Sequence, residues 1–363
     1  MVVEEIVKEQ LASMDMEEIQ ELFHIASKNG NIFTSTSPEE IIKSLLAGKP
    51  IFDLNDVLVA IGDLFLHEIR GSIILGVQLV IICIIIGLLT NLSTSFGNDT
   101  VSNLGIIICS CSVIALCLKI FMDIYAICSE AIDTMSIVMQ VLLPVLIPLL
   151  IAMGGLTSGG ILNPFIVAAT TIFSTALQKI IMPAVYLSCI FLLVNSLSER
   201  DYVKKLGIFM RNFAIFAMGL MVTLFSGLTA IQGVVTKSAD GMLAKTAKYS
   251  VDNFVPIVGG FAADSIDLIL SCSALIKNGV GIFGLLIIIT LLIVPMLKIL
   301  AIALVFKVTA IIIEPIGTKT ISDCLSEVGS TVITLAVILL LGAIMFLIFL
   351  TIIIGIGGGS LWK

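Results

Sequence analysis

The sequence is poor in the residues that soluble proteins and metalloenzymes depend on. Only 12% of its 363 residues are charged, about half the share found in a globular domain. It has two histidines, His24 and His67, and no Cys-x-x-Cys pair among its eight cysteines. A zinc site would therefore have almost no ligands. We expect no cofactor, and we expect the cysteines in apolar runs to be buried free thiols.

Three catalytic motifs are missing as well. The chain contains no G-x-x-x-x-G-K-[ST], no H-E-x-x-H and no G-x-S-x-G. The first would cradle the phosphates of a nucleotide, the second would bind zinc, and the third would present a nucleophilic serine. We therefore expect neither P-loop nucleotide hydrolysis nor any other enzyme activity.

The chain contains long apolar runs with few charged residues. Hydrophobic residues make up 58% of the chain, and a run of 18 or more with few charges is typical of a membrane span. A single soluble core could not bury this much apolar surface, so lipid must cover part of it. The expected fold is all-α, a polytopic integral membrane protein with about eight transmembrane helices and a range of six to eight.

The individual spans differ in how clearly they are defined. Single spans are predicted at 72–92, 104–128, 135–153, 206–231 and 330–354. The runs 161–197 and 279–313 are longer, since a straight helix of that length extends roughly 50 Å against a hydrocarbon core of about 30 Å. Each also has a lysine near a proline, Lys179 with Pro183 in the first run and Lys298 with Pro295 in the second. Two short crossings or two half-helices are favoured for each run, and one long kinked helix is the alternative.

Residues 1–71 form an acidic region ahead of the transmembrane domain, which is predicted to cover 72–363. The region holds 5 Lys/Arg and 13 Asp/Glu, and this negative charge repels nucleic acid and anionic lipid, so neither is an expected partner for it. The lipid bilayer is an expected partner of the transmembrane domain. Apolar residues at helical spacing from Asp53 to Ile69 predict an amphipathic helix beside the membrane. No basic stretch with an apolar core opens the chain, so either this region is exported without a signal peptide or the sequence begins after one.

Basic residues predict the orientation of the chain. The densest basic segment contains Arg200, Lys204, Lys205 and Arg211. The positive-inside rule places this segment in the cytoplasm. Five crossings before it would put the acidic region outside the cytoplasm, and eight crossings in all would leave Lys363 inside. With a single crossing over 161–197, the acidic region would instead lie inside.

Charged residues within the apolar runs are the candidate functional residues, because a charge at the centre of a membrane span costs about 2.5–3.5 kcal/mol on insertion scales. Lys119 and Asp123 are spaced to form either an internal ion pair or a contact to a conduit or a partner. Lys298 and Lys307 either snorkel to the interfaces or line a path, and Lys307 could pair with Glu314 two turns away.

Residues 232–278 form the longest segment between spans and are predicted to lie at the interface or to re-enter the membrane. Within it, Asp264 and Asp267 form either a solvated face or an acidic lining for a cation path or a docking surface. The candidate helix breaks, which could be packing kinks or parts of a binding site, are Pro144, Gly154, Gly155, Pro256, Gly259, Gly260 and Pro295.

Several stretches, taken in order, resemble the stage III sporulation protein AE family. They cover nearly the whole chain and are densest over residues 236–317. The stretches are Glu130–Met135, Leu142–Pro144, Ala239–Gly241, Thr246–Lys248, Asn253–Gly260, Leu275–Gly284, Pro295–Leu300 and Glu314–Gly317.

The resemblance implies a role in endospore formation. Proteins of this kind sit in the mother-cell membrane around the forespore, as membrane subunits of a channel complex likened to a secretion apparatus. The implied partners are other stage III sporulation membrane proteins, including a mother-cell ATPase and ring proteins between the two membranes.

Two other classes of function remain open from the residues alone. A secondary transporter or permease for a small solute would use broken helices and buried lysines. An intramembrane enzyme would need a catalytic set deep in the spans, and the predicted spans contain neither a histidine nor paired aspartates.

Overall fold

The computed structural model describes residues 54–96, 99–152, 168–197, 201–254, 259–315 and 319–355. These ranges contain no strand and form six helices, α1 (Leu54–Phe96), α2 (Asp99–Ala152), α3 (Ala168–Asn195), α4 (Lys204–Phe254), α5 (Gly259–Ile313) and α6 (Lys319–Gly355). Each helix contains a stretch long and apolar enough to cross a membrane. The predicted all-α polytopic fold is confirmed, with the helices of the described ranges at the lower end of the six to eight expected.

Two of the predicted divisions of the chain are absent, because helices continue through them. The amphipathic helix ending at Ile69 and the span at 72–92 form one helix, α1, which contains no proline. The separate spans at 104–128 and 135–153 are likewise one helix, α2. The sequence has neither glycine nor proline from Ile106 to Leu143, so nothing in the backbone chemistry ends the helix near Glu130.

The two long runs are also single helices in the described residues, which corrects the favoured prediction of two crossings each. Pro183 lies inside α3, just after a π-helical turn at Leu177–Ile181. A π turn widens the helix locally, and it accommodates the missing N–H and the bulk of the proline ring. Pro295 lies inside α5 and Pro144 inside α2, so neither proline ends its helix.

Side-chain contacts fix the directions of the six helices. Gly105 of α2 lies against Leu89 of α1, Gly207 of α4 against Leu192 of α3, and Gly329 of α6 against Phe306 of α5. Each of these consecutive pairs is therefore antiparallel. Leu142 and Leu350 meet at Gly284, and Cys128 Sγ donates a hydrogen bond to the Leu335 carbonyl, so α2 and α6 run in the same direction.

Helices α1, α3 and α5 therefore run one way through the bundle, and α2, α4 and α6 run the other. We call the end where α4 begins at Lys204 and α6 begins at Lys319 the basic end. Helix α5 packs against α6, α1, α2 and α4, and an extended apolar core lies between the helices.

The helix count bears on the predicted orientation. Among the described residues, three candidate spans precede the basic segment around Lys204, instead of the five expected. The predicted spans 104–128 and 135–153 form one helix, and the described part of 161–197 forms one helix instead of two crossings. Each change removes one crossing, so the number before the basic segment falls from five to three and stays odd. Helix α6 ends at Gly355, opposite the basic end, whereas eight crossings had predicted that the chain returns to the side of that segment.

Some predictions fall partly or wholly outside the described residues. These include most of the acidic region 1–71, together with Gly154, Gly155, Pro256 and Lys363. Residues 232–254 continue α4, and residues 259–278 begin α5. That 232–278 lies at the interface or re-enters the membrane stays a prediction.

Candidate functional site

A cluster of charged and hydroxyl side chains joins α4, α5 and α6 near the basic end. Arg211 Nη1 of α4 donates a hydrogen bond to Glu327 Oε2 of α6 at 2.8 Å, and the two side chains are only 16% and 27% exposed. Lys307 of α5 donates to Ser326 Oγ at 3.1 Å and to Ser330 Oγ at 2.7 Å. We call these five residues the charge cluster.

The charge cluster holds two positive groups and one negative group. Glu327 attracts the Lys307 ammonium group, and Arg211 repels it, so the single carboxylate offsets two cations. A charge-assisted hydrogen bond of this kind is stronger than a neutral one. The cluster therefore ties three helices together at a fixed level, about 12 Å along α6 from Lys319.

The turn beside this cluster is organised by one amide side chain. Asn195, the last residue of α3, accepts hydrogen bonds at Oδ1 from the backbone N–H groups of Val203 and Lys204, at 3.1 and 3.2 Å. Its Nδ2 donates to Asp201 Oδ1 at 2.9 Å. Because the first N–H groups of a helix lack internal partners, Asn195 caps α4 from the end of the preceding helix.

A second polar contact lies between α2 and α3. Gln178 Nε2 donates to Asp133 Oδ1, and it also lies 3.4 Å from Ser174 Oγ. All three side chains are half-buried. Gln178 belongs to the π turn of α3, and such turns are frequent at functional sites.

A third contact closes the end of the bundle opposite the basic end. The Lys277 side chain is fully buried, and its Nζ donates to the Ile354 carbonyl at 3.0 Å. This carbonyl belongs to the last turn of α6, where carbonyls have no partner within the helix and the helix dipole favours a positive charge. Lys277 of α5 thus caps the carboxyl end of α6.

The predicted residues are distributed unevenly over these contacts. Lys307 belongs to the charge cluster, but its partners are serines of α6, so the suggested pairing with Glu314 is wrong; Glu314 is exposed in the turn after α5. Lys119 and Asp123 are both exposed on α2. No ion pair joins these two among the described residues.

The remaining predicted residues lie apart from the contacts. Lys298 is half-buried one turn after Pro295. Asp264 and Asp267 lie in the first part of α5, about 15 to 20 Å along the helix from Lys277 and away from the basic end. Gly259 and Gly260 begin α5.

Sequence reasoning missed most residues of these contacts, including Asp133, Gln178, Lys277 and Glu327. Asp133 and Lys277 lay within the stretches that carry the family resemblance, and a charged residue in an apolar run was the available signal. Gln178 and Glu327 gave no such signal, because their importance depends on which helix faces them.

Thiols and hydroxyl groups play structural parts. Seven described cysteines are free. Burial is confirmed for Cys83, Cys117, Cys128 and Cys189 in the apolar runs, but Cys109 is half-buried and Cys111 is exposed; Cys324, outside those runs, is also buried. Hydroxyl groups such as those of Thr290 and Thr334 donate to the carbonyl four residues earlier, as is usual in apolar helices. The described residues contain no group of three or more His, Cys, Asp or Glu placed to hold a metal ion.

Comparison with known proteins decides the family. The family model described as "Stage III sporulation protein AE" matches residues 36–357. The chain is also 31% identical over 358 residues to the stage III sporulation protein AE of Bacillus subtilis (strain 168), covering 98% of this chain and 89% of that relative. The chain belongs to the stage III sporulation protein AE family. No solved structure matches it.

Family membership indicates where the three polar contacts lie. This chain is a multi-pass membrane protein of a sporulation family, so its polar contacts lie among helices that lipid surrounds. The match includes every described helix up to α6. Sites in this stage III sporulation protein AE family member must therefore be sought between its helices and on their lipid-facing sides.

Proposed function

We propose that this protein is a membrane subunit of the sporulation channel complex, the transport or secretion-like assembly between mother cell and forespore that endospore development requires. The single observation that carries the proposal is the family match over residues 36–357. The bundle is consistent with a scaffold, since its described polar contacts tie helices together and leave no catalytic constellation among them. In this role the protein acts without a cofactor and without covalent catalysis, in the mother-cell membrane around the forespore.

The orientation follows from the basic end. Lys204, Lys205 and Arg211 lie there, and the positive-inside rule places that end in the cytoplasm. Three candidate spans before it among the described residues support a start of α1, and with it an acidic region, outside the mother-cell cytoplasm. The acidic region would then face the space between the two membranes, where ring proteins of the complex are available as partners.

Two exposed charges on α2 mark a surface for assembly. Lys119 and Asp123 are exposed, although they lie within the apolar stretch Ile107–Ile151. Charges on a lipid-facing side are costly, so such residues face a partner, water or a conduit. We propose that the two residues contact another subunit of the complex.

Affinity purification from sporulating cells tests the proposal. A tagged full-length chain, solubilised after cross-linking, should enrich other stage III sporulation membrane proteins and the mother-cell ATPase over an unrelated multi-pass protein. Recovery of none of them would overturn the assignment to the complex.

A matched pair of variants tests the assembly surface. Removing both charges by Lys119→Gln and Asp123→Asn should reduce recovery of the partners. Lys319 and Asp323 have the same spacing and are also exposed, but they lie at the start of α6. Lys319→Gln with Asp323→Asn therefore serves as the control and should leave recovery unchanged. Equal recovery from both double variants would count against the proposed contact.

A permease for a small solute is the second candidate, and the Asp133–Gln178 contact favours it, because transporters place polar groups of this kind between their helices. The purified protein in liposomes would then move a solute unaided. A subunit that functions only within the complex would show no flux above that of empty liposomes.

A further inference from the structure

The carboxyl group of Asp133 has one partner among the described residues, and that partner is uncharged. Gln178 Nε2 donates to Asp133 Oδ1, and the second carboxyl oxygen has no hydrogen bond or ion pair to a described residue. The carboxyl group is half-buried, so one side of it remains reachable from outside the bundle.

The length of α3 places this contact within the hydrocarbon layer. Helix α3 has 28 residues, which extend about 42 Å, and Gln178 lies about 15 Å from its start. Because α3 is about 12 Å longer than a hydrocarbon core of about 30 Å, the core can be placed at any level within that 12 Å range along the helix. In every such position Gln178, and with it Asp133, lies inside the core.

No charged group compensates Asp133 from the helices packed against α2, which are α1, α3, α5 and α6. The nearest charges along the chain are exposed, Glu130 one turn away on α2 and Lys179 beside Gln178 on α3. The other titratable or charged side chains of the spans that pack there are Asp63, His67, Glu68, Arg70 and Cys83 of α1, Tyr186 and Cys189 of α3, Lys277, Lys298 and Lys307 of α5, and Lys319, Asp323, Cys324 and Glu327 of α6. None has a hydrogen bond or ion pair with Asp133.

Gln178 suits both charge states of this carboxyl group. Its amide NH₂ donates to an ionised carboxylate, and its amide carbonyl can accept from the O–H of the protonated acid. An ionised carboxylate without a cation is costly in hydrocarbon, whereas the neutral acid is tolerated there. The contact with Gln178 can therefore hold either form, and protonation removes the cost of an ionised carboxylate in hydrocarbon.

We infer that Asp133 is an intramembrane proton site, whose carboxyl group takes up one proton to become the neutral acid and returns it to the aqueous phase, with Gln178 holding it in place. Gln178 acts as a positioning residue. Gln178 lies within the π turn at Leu177–Ile181, and the wider backbone of that turn sets the angle at which its side chain leaves α3. The inference is independent of the channel role, since a subunit of either proposed kind could carry the site.

A hydrophobic carbodiimide tests the site directly, because it enters lipid and modifies protonated carboxyl groups. Full-length protein in lipid vesicles would be treated across a range of pH, and the modified peptides quantified by mass spectrometry. We expect Asp133 to be the modified residue, with a yield that falls about tenfold for each pH unit above its midpoint. Asp133→Asn should abolish this modification, and Asp323→Asn, at an exposed carboxyl group of α6, should leave it unchanged.

Gln178→Leu provides the readout that a purely structural contact would not give. Loss of the amide should displace the pH midpoint of Asp133 modification, while Gln140→Leu, at an exposed amide of α2, should not. An Asp133 yield that does not change with pH, modification confined to Glu130 or Asp123, or protection of Asp133 by sodium ions at constant pH would each overturn the inference.

Discussion

Gly284 is the position where one added methyl group should affect the bundle most clearly. It lies where α5 meets α2 and α6, and small residues allow helices in membranes to approach closely. A Cβ atom at Gly284 would lie 2.5 Å from Leu142 Cδ1 and 3.1 Å from Leu350 Cδ2. Both leucines are 0% exposed, so neither can move aside without displacing other core atoms.

The magnitude follows from two opposing effects in Gly284→Ala. Overpacking a well-packed core costs about 1–3 kcal/mol, while replacing glycine within a helix gains about 0.5–1 kcal/mol. A net destabilisation of about 1–2 kcal/mol is expected. Gly219 of α4 has no atom within 4 Å of its added Cβ, so Gly219→Ala should show only the gain. The gain is common to both variants, so they should differ by the overpacking cost alone, about 1–3 kcal/mol.

The protein's own thiols provide the assay. Five buried free cysteines become reactive when the bundle unfolds, and Cys111 is exposed in the folded state. Thermal unfolding in detergent, followed with a fluorescent maleimide on a background lacking Cys111, should give a lower midpoint for Gly284→Ala than for the parent. A midpoint for Gly284→Ala at or above that of Gly219→Ala would refute the close approach of the three helices.

The remaining predictions concern the basic end. Glu327→Gln should destabilise the bundle by about 1–3 kcal/mol, between the values for exposed and buried pairs, because Arg211 and Lys307 would lose their shared counterion. The same assay measures it, and an unchanged midpoint would show that water already solvates the pair. Asn195→Ala should cost about 1 kcal/mol, since two backbone N–H groups at the start of α4 lose their acceptor. Faster hydrogen exchange at Lys204 would confirm the cap, whereas exchange at the parental rate would contradict it.

The misplaced helix boundaries have a common physical origin. Glu130 and Asp133 lie between the predicted spans 104–128 and 135–153, where they interrupt the apolar run. A helix ends where its backbone loses hydrogen bonds or gains a better cap, and neither glycine nor proline stands there to cause it. Conversely, Pro183 predicted a break in the run 161–197. Helix α3 continues through it, because the π turn just before Pro183 accommodates the proline ring.

The candidate site was predictable only where a single residue carried the signal. Lys307 was identifiable as a charge in an apolar run, but its serine partners lie 19 and 23 residues further along the chain on α6. Glu327 could not be identified from the sequence, because its role depends on the ion pair with Arg211, which lies 116 residues away along the chain. The side of the membrane that holds the acidic region stays a prediction; the two merged pairs of crossings leave the number of described candidate spans before the basic segment odd, as predicted, but they reverse the side on which α6 ends.

Composition and apolar run length by themselves determined that this chain is an all-helical membrane protein with few reactive groups, because lipid solvation constrains every residue of a span separately. The order of short stretches determined its family. Only the tertiary structure decided where helices continue and which polar groups meet, as Asp133 and Gln178 do. Those outcomes depend on the register of one helix against another, and the pattern along a single helix does not contain that register.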